Sequence, residues 1–219
     1  MDIEIRPLTP ELAEEYARFF DTTPHDDCRE EHRCYCVPWC SDDCSGDYEA
    51  RYLSSAEKRR QYAIQCVKNG AIRGYLAYAG GKVVGWCNAN DKADCQKCYG
   101  WRRYLGYVPA EASDAGIQVK SVFCFTVAPE MKRHGVATRL LQRVCNDAAQ
   151  EGFDFVEAYP NREPVDEALK NCGPIEMYRK CGFSMCLEAE QGFVMRKQLN
   201  SPPDILNSTG TDGANRETK

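Results

Sequence analysis

From Val119 to Val127 the apolar residues Val119, Phe123, Phe125 and Val127 alternate with Lys120, Val122, Cys124 and Thr126. A period near two predicts a strand with at least one buried face. Pro129 ends it, a short basic turn Lys132-Arg133-His134-Gly135 follows, and Val136, Leu140, Leu141, Val144, Cys145 and Ala148 then recur at helical spacing as far as Gln150. Upstream, Ile3 and Ile5 begin a strand. Thr9-Pro10 predicts a helix start, threonine as N-cap and proline in the first position, with Leu12, Tyr16, Phe19 and Phe20 as its apolar face. Ser54-Ser55-Ala56-Glu57 reads as a capping box for a helix ending at Asn69-Gly70, with Ala63, Ile64, Cys66 and Val67 inward. Strands over 72–79 and 82–88 join at the hairpin turn Gly80-Gly81, with Tyr75, Ala77, Val83, Gly85 and Cys87 sharing alternate faces. Downstream, 153–159 predicts a strand parallel to the Val119 strand, since a helix connects the two. A short helix over 173–180 and a strand pair over 183–187 and 193–199 close the pattern.

Two stretches break the periodicity. Residues 25–46 carry Cys28, Cys34, Cys36, Cys40 and Cys44 among acidic groups, and 90–116 is polar and irregular, with Trp101, Tyr104, Tyr107 and the pair Arg102-Arg103. A loop as long as 90–116 inside a compact domain is usually functional or mobile, so it predicts either a substrate wall or a surface insertion. Residues 200–219, polar and holding Pro202-Pro203, predict a disordered tail. The expected fold is a single α/β (α+β) domain over 1–199, a mixed central sheet flanked by helices, with 25–46 as a Cys-rich insertion and 90–116 as a variable loop.

Composition narrows the function. The 219 residues carry a net charge of -5, with a pI near 5.4, whereas a nucleic-acid binder would show a basic face. No apolar run approaches the roughly 20 residues of a membrane helix, and the N-terminus lacks a basic-then-apolar leader. A cytoplasmic protein with neither nucleic-acid nor membrane partner is expected. Fourteen cysteines in that setting point to reduced thiols, metal ligands or redox chemistry rather than a secreted disulfide framework. The cysteines of 25–46 are close enough in sequence to bind a soft metal, and the C-x-x-C pair Cys95 and Cys98 completes a site if the two loops meet. Because the spacing matches no zinc finger or ribbon, no metal site is assigned: the loop, anchored by Tyr35 and Trp39, is expected to fold over the substrate side with its thiols free, and a thiol switch stays open.

The basic turn has a chemical use. The first N–H groups of a helix lack intrahelical partners, and the peptide dipoles add positive charge there. Gly135, Val136, Ala137 and Thr138 offer such donors, while Lys132, Arg133 and Arg139 add charge, a composition suited to phosphate or pyrophosphate. Neither the G-K-[ST] of a P-loop nor the G-x-G-x-x-G of a dinucleotide fold is present.

The run Val127 to Ala137, VAPEMKRHGVA, resembles the signature [RQ]-x-x-G-x-[GA] of the GNAT superfamily, the acyl-CoA-dependent N-acetyltransferases, with Lys132 where Arg or Gln is usual. Pro174 to Phe183, PIEMYRKCGF, is similar to that superfamily's Y-x-K-x-G-F segment. The resemblance implies acetyl-CoA as co-substrate and direct transfer to a small-molecule or protein amine. It implies that main-chain groups near Phe125 and Val127 hold the acyl arm, one N–H serving as oxyanion donor, and that Lys132, Arg133, Gly135, Val136, Ala137 and Thr138 hold the diphosphate. Tyr178 then aligns with the tyrosine that protonates the departing thiolate. For the base that frees the amine's lone pair, Glu157 is the best-placed carboxylate; Cys124 lies where some relatives carry a glutamate and is a poorer base. His134, within the turn, belongs with the phosphate side. The acceptor is not legible, and a homodimer stays open. The alternative is a thiol-rich metal-binding or redox-sensing protein that keeps the scaffold without transferase activity.

Overall fold

Seven strands form one sheet in the order β1-β2-β3-β4-β5-β7-β6 in a computed structural model that describes residues 2–23, 33–41, 54–109, 116–162 and 171–199. The strands are β1 (Glu4–Pro7), β2 (Gly74–Ala79), β3 (Lys82–Asp91), β4 (Val119–Val127), β5 (Phe155–Ala158), β6 (Ser184–Glu188) and β7 (Phe193–Gln198). Six helices accompany them among the described residues: α1 (Ala13–Thr22), α2 (Ala56–Lys68), α3 (Lys92–Cys95), α4 (Tyr99–Tyr104), α5 (Val136–Gln150) and α6 (Ile175–Lys180). Only β4 and β5 run parallel, as expected for strands joined through α5; every other pair is antiparallel. Cys28, Cys44 and the tail 200–219 lie outside the described residues.

The hydrophobic pattern explains the layers. In β4 the residues Ser121 to Thr126 are all buried, so this central strand is covered on both faces. α5 buries the six residues its spacing marked, Val136, Leu140, Leu141, Val144, Cys145 and Ala148; a leucine taken fully from water contributes about 1.5–3 kcal/mol. Val136 and Leu140 meet β3 at Gly85, whereas Tyr16 of α1 sits edge-on to Trp86 at 4.8 Å. Neighbouring residues of a strand point to opposite faces, so α5 and α1 cover opposite sides of the sheet.

Four local expectations are corrected. Thr9 stands at the N-cap position but makes no cap bond; its hydroxyl is taken by Glu11, and the first turn, Pro10–Leu12, is a 3-10 helix leading into α1. Ser55, not Ser54, caps α2, accepting the Lys58 N–H at 3.2 Å, and Glu57 bonds to Gln61 rather than closing a capping box. A bulge between Ala77 and Tyr78 pairs Val83 with Tyr78, which breaks the alternation expected across the hairpin. The stretch from 90 is less irregular than predicted: β3 continues to Asp91, and α3 and α4 follow directly. Its aromatics are packed, Trp101 edge-on to Tyr159 at 5.6 Å, while Trp39 stacks on Phe123 at 4.9 Å.

Candidate active site

β5 accompanies β4 for four residues only. Their register runs from Val119 opposite Phe155 to Val122 opposite Ala158 and stops, while β4 continues to Val127, held on its other side by β3 through Gly85. The β5-facing edge of Phe123 to Val127 thus carries main-chain donors and acceptors with no strand partner among the described residues, an arrangement open to an extended ligand with amides of its own. Phe125 and Val127, the expected holders of an acyl arm, lie in this stretch.

The basic turn stands at the end of the open edge. Arg133 takes a left-handed conformation at φ 65, and Gly135, at φ 78, is the N-cap of α5. No side chain caps this end, so the first amides of α5, those of Val136, Ala137 and Thr138, lack a side-chain acceptor, and a Cβ on Gly135 would meet nothing within 4 Å. Lys132, Arg133 and Arg139 are exposed around it. His134 is exposed as well, its Nδ1 3.0 Å from the Lys132 carbonyl, which makes it part of the turn. Uncapped amides, room for a large anion and a rim of cations fit a diphosphate. Sequence reasoning missed the support beneath: Val136 Cγ1 lies 2.7 Å from where a Cβ of Gly85 would stand, so Gly85 lets the first turn of α5 press onto β3.

Tyr178 projects from α6 toward the same opening. Its side chain is fully buried, and its hydroxyl donates to the carbonyl of Cys172 at 2.5 Å. A Cβ on Gly173 would sit 3.2 Å from that oxygen and 3.4 Å from the Phe125 ring, which places the phenol beside the unpaired half of β4. Burial first, and then the thiols of Cys172, Cys87, Cys124 and Cys181, push its pKa well above that of an ordinary phenol. Tyr178 therefore keeps its proton throughout the physiological range.

Glu157 is placed otherwise than its expected role as base requires. It is fully buried, with Lys92 Nζ and the Tyr159 hydroxyl on Oε1 at 2.7 and 2.9 Å, and Arg196 Nε on Oε2 at 2.8 Å. A second guanidinium nitrogen of Arg196 reaches the same oxygen. Tyr159 spends its proton on Glu157, so Ser121 Oγ, 2.6 Å away, donates to Tyr159. Both carboxylate oxygens are committed within the protein, which leaves Glu157 as the hub joining α3, β4, β5 and β7. Cys124, immediately before Phe125, is buried, and its pKa is pushed well up by its hydrogen bond with Cys36 and then by burial.

The two cysteine-bearing loops do meet. Cys40 and Cys98 are close enough to act on the Cys95 thiol, which burial pushes far up. Among the described residues no three His, Cys, Asp or Glu side chains are placed to hold a metal ion. Nor is any described helix long and apolar enough to cross a membrane. A separate cleft of about 340 Å³ lies at the far end of β4 beside Lys120, which is itself paired with Asp91 and Glu151; the cleft touches neither the basic turn nor Tyr178.

A mixed sheet parted at its centre, with an uncapped, cation-rimmed helix end and a protonated phenol beside the parting, is an arrangement suited to acyl transfer. The profile of the Acetyltransferase (GNAT) family matches residues 38–183, and the chain belongs to that family. A search of the curated proteins returns no match. Among solved structures the chain is similar to the ribosomal-protein-S5-alanine acetyltransferase from Vibrio fischeri, at 12% identity and a TM-score of 0.52, over 91% of this chain and 94% of that one. It is also similar to the Drosophila melanogaster polyamine N-acetyltransferase, at 13% identity and 0.51, over 89% and 98%. The PaiA N-acetyltransferase from Thermoplasma acidophilum, solved in complex with coenzyme A, stands at 17% and 0.50, over 90% and 99%. At such identities the likeness is one of fold.

Proposed function

We propose that the protein transfers the acetyl group of acetyl-CoA directly to an amine, with no covalent acyl-enzyme. The observation that carries this reading is the uncapped N-terminus of α5 at the tip of the unpaired half of β4, an anion site and an extended-chain site in one line. Val136, Ala137 and Thr138 hold the diphosphate with their amides, Gly135 gives it room, and Lys132 and Arg133 supply charge. Main-chain groups at Phe125 and Val127 hold the acyl arm, and an N–H there faces the carbonyl oxygen as it gains charge. Acetyl-CoA, when bound, supplies an activated thioester. Tyr178, kept protonated by its burial, gives a proton to the sulfur that departs.

In this reading Glu157 does not move a proton: it anchors Lys92 and Arg196, and through them the aromatic wall that follows β3. The acceptor is an amine, and two similar structures belong to enzymes whose names give different acceptors, a ribosomal-protein alanine and a polyamine. A homodimer in the cytoplasm remains part of the proposal. Isothermal titration with acetyl-CoA, followed by release of free coenzyme A across a panel of amines, tests it. Stoichiometric binding that weakens with salt, together with amine-dependent release, is expected; absence of binding overturns the reading.

A further inference from the structure

The cysteines that the acyl site does not use are not scattered. Tyr35 and Cys36 are consecutive non-glycine residues in the left-handed region, at φ 46 and 55, and the turn they make directs the buried Cys36 thiol at the sheet. There Asn88 Nδ2 lies 3.4 Å from Cys36 Sγ, and Asn88 is paired directly with Cys124 across β3 and β4. The Cys36 and Cys124 thiols are therefore brought to the same buried side chain on one face of the sheet, near enough for Cys36 to act on Cys124. Asn88 Oδ1, also buried, has no hydrogen-bond partner, so the bond to the Cys36 thiol is what orients the amide. A third sulfur connects this pair outward: Cys34, partly exposed, accepts the Cys36 N–H at 3.3 Å.

We propose that Cys36 and Cys124 are an oxidisable dithiol, converted to a disulfide by a hydroperoxide that enters through Cys34. The hydroperoxide oxidises the Cys34 thiol to a sulfenic acid and leaves as an alcohol, or as water in the case of hydrogen peroxide. The Cys36 sulfur attacks that sulfenic sulfur, water is expelled, and an S–S bond forms. Cys124 then attacks Cys36, and Cys34 departs with the proton as a thiol. In sum two thiols lose two electrons and two protons to the peroxide. The product holds the sulfurs at about 2.05 Å, well inside hydrogen-bonding separation, and so pulls on β4 one residue before Phe125. Its effect is a reversible loss of acetyl-CoA affinity.

The test begins with the full chain, reduced and then exposed to equimolar hydrogen peroxide, after which remaining thiols are alkylated and the protein is digested for mass spectrometry. A Cys36–Cys124 linked peptide is expected, removed by dithiothreitol, slower to form in Cys34→Ser and absent from Cys36→Ser and Cys124→Ala. Acetyl-CoA affinity should fall several-fold in the linked protein and return on reduction. If both cysteines are recovered alkylated, or sit in linkages to other partners, the proposal is overturned. The linked peptide is read by mass alone, so its absence is separable from a failure of the protein to bind acetyl-CoA.

Discussion

The Tyr178 hydroxyl and the Cys172 carbonyl share a 2.5 Å hydrogen bond inside the protein, one residue from the glycine that leaves room for both. Tyr178→Phe removes the donor and strands a buried carbonyl, at about 1–3 kcal/mol of stability. Turnover should fall by about 10²-fold or more, with the acetyl-CoA dissociation constant unchanged. Coenzyme A release and calorimetry measure the two separately. Equal losses in both would place Tyr178 in the framework rather than in proton transfer.

Lys92 and Arg196 reach Glu157 from elements far apart in the chain, and removing the charge between them is expected to be severe. Glu157→Gln removes the buried carboxylate that Lys92 and Arg196 share and should lower stability by about 3–5 kcal/mol, measured by urea denaturation. The double variant with Lys92→Met should recover much of that loss. A Glu157→Gln protein of undiminished stability that loses turnover, and with it the fall at low pH seen in the native protein, would restore the carboxylate as a base.

Gly85 and Gly135 should respond differently to alanine. At Gly85 the new methyl meets Val136 Cγ1 at 2.7 Å, so the first turn of α5 must move; about 1–3 kcal/mol of stability and part of the acetyl-CoA affinity should go together. At Gly135 no atom is in the way, and the loss is one of backbone conformation, about 1–2 kcal/mol. Thermal melts with and without acetyl-CoA separate the two.

High pH provides a further check. Burial raises the pKa of Tyr16, Tyr159 and Tyr178 well above that of an exposed phenol, and Glu157 adds to the rise at Tyr159. The folded protein therefore binds more protons than the unfolded chain once pH passes about 10. Stability is unaffected by these groups below that point and falls as pH rises above it. Tyrosinate absorbance should appear in two steps, exposed phenols first and the buried set together with loss of the circular dichroism of the fold. A single early step would contradict the burial.

What the sequence disclosed was local. The β4-turn-α5 unit could be read because strand period, proline, basic glycine turn and helix period follow one another without interruption; the structure adds the 3-10 turn Pro129–Met131, the left-handed Arg133 and Gly135, and the support of Gly85 beneath. The shifted cap at Ser55 escaped because two adjacent serines offer the same hydroxyl, and the choice depends on where the incoming backbone turns. The surroundings of Glu157 were hidden for a different reason. Strand alternation says that a residue points to one face, but its counter-ions come from α3 and β7, and no periodicity links them. The pairing of Cys36 with Cys124 was equally hidden, since it depends on a turn at two left-handed residues that composition does not announce.

Ending the β4–β5 ladder at Val122 gives this sheet a rim in its own middle. Exposed rims attract other strands and are commonly blunted. Sequence changes that zipped the two strands further would add hydrogen bonds and yield a sturdier sheet, yet they would shut out the acyl arm proposed to lie along it. At this one place, durability and catalysis pull in opposite directions.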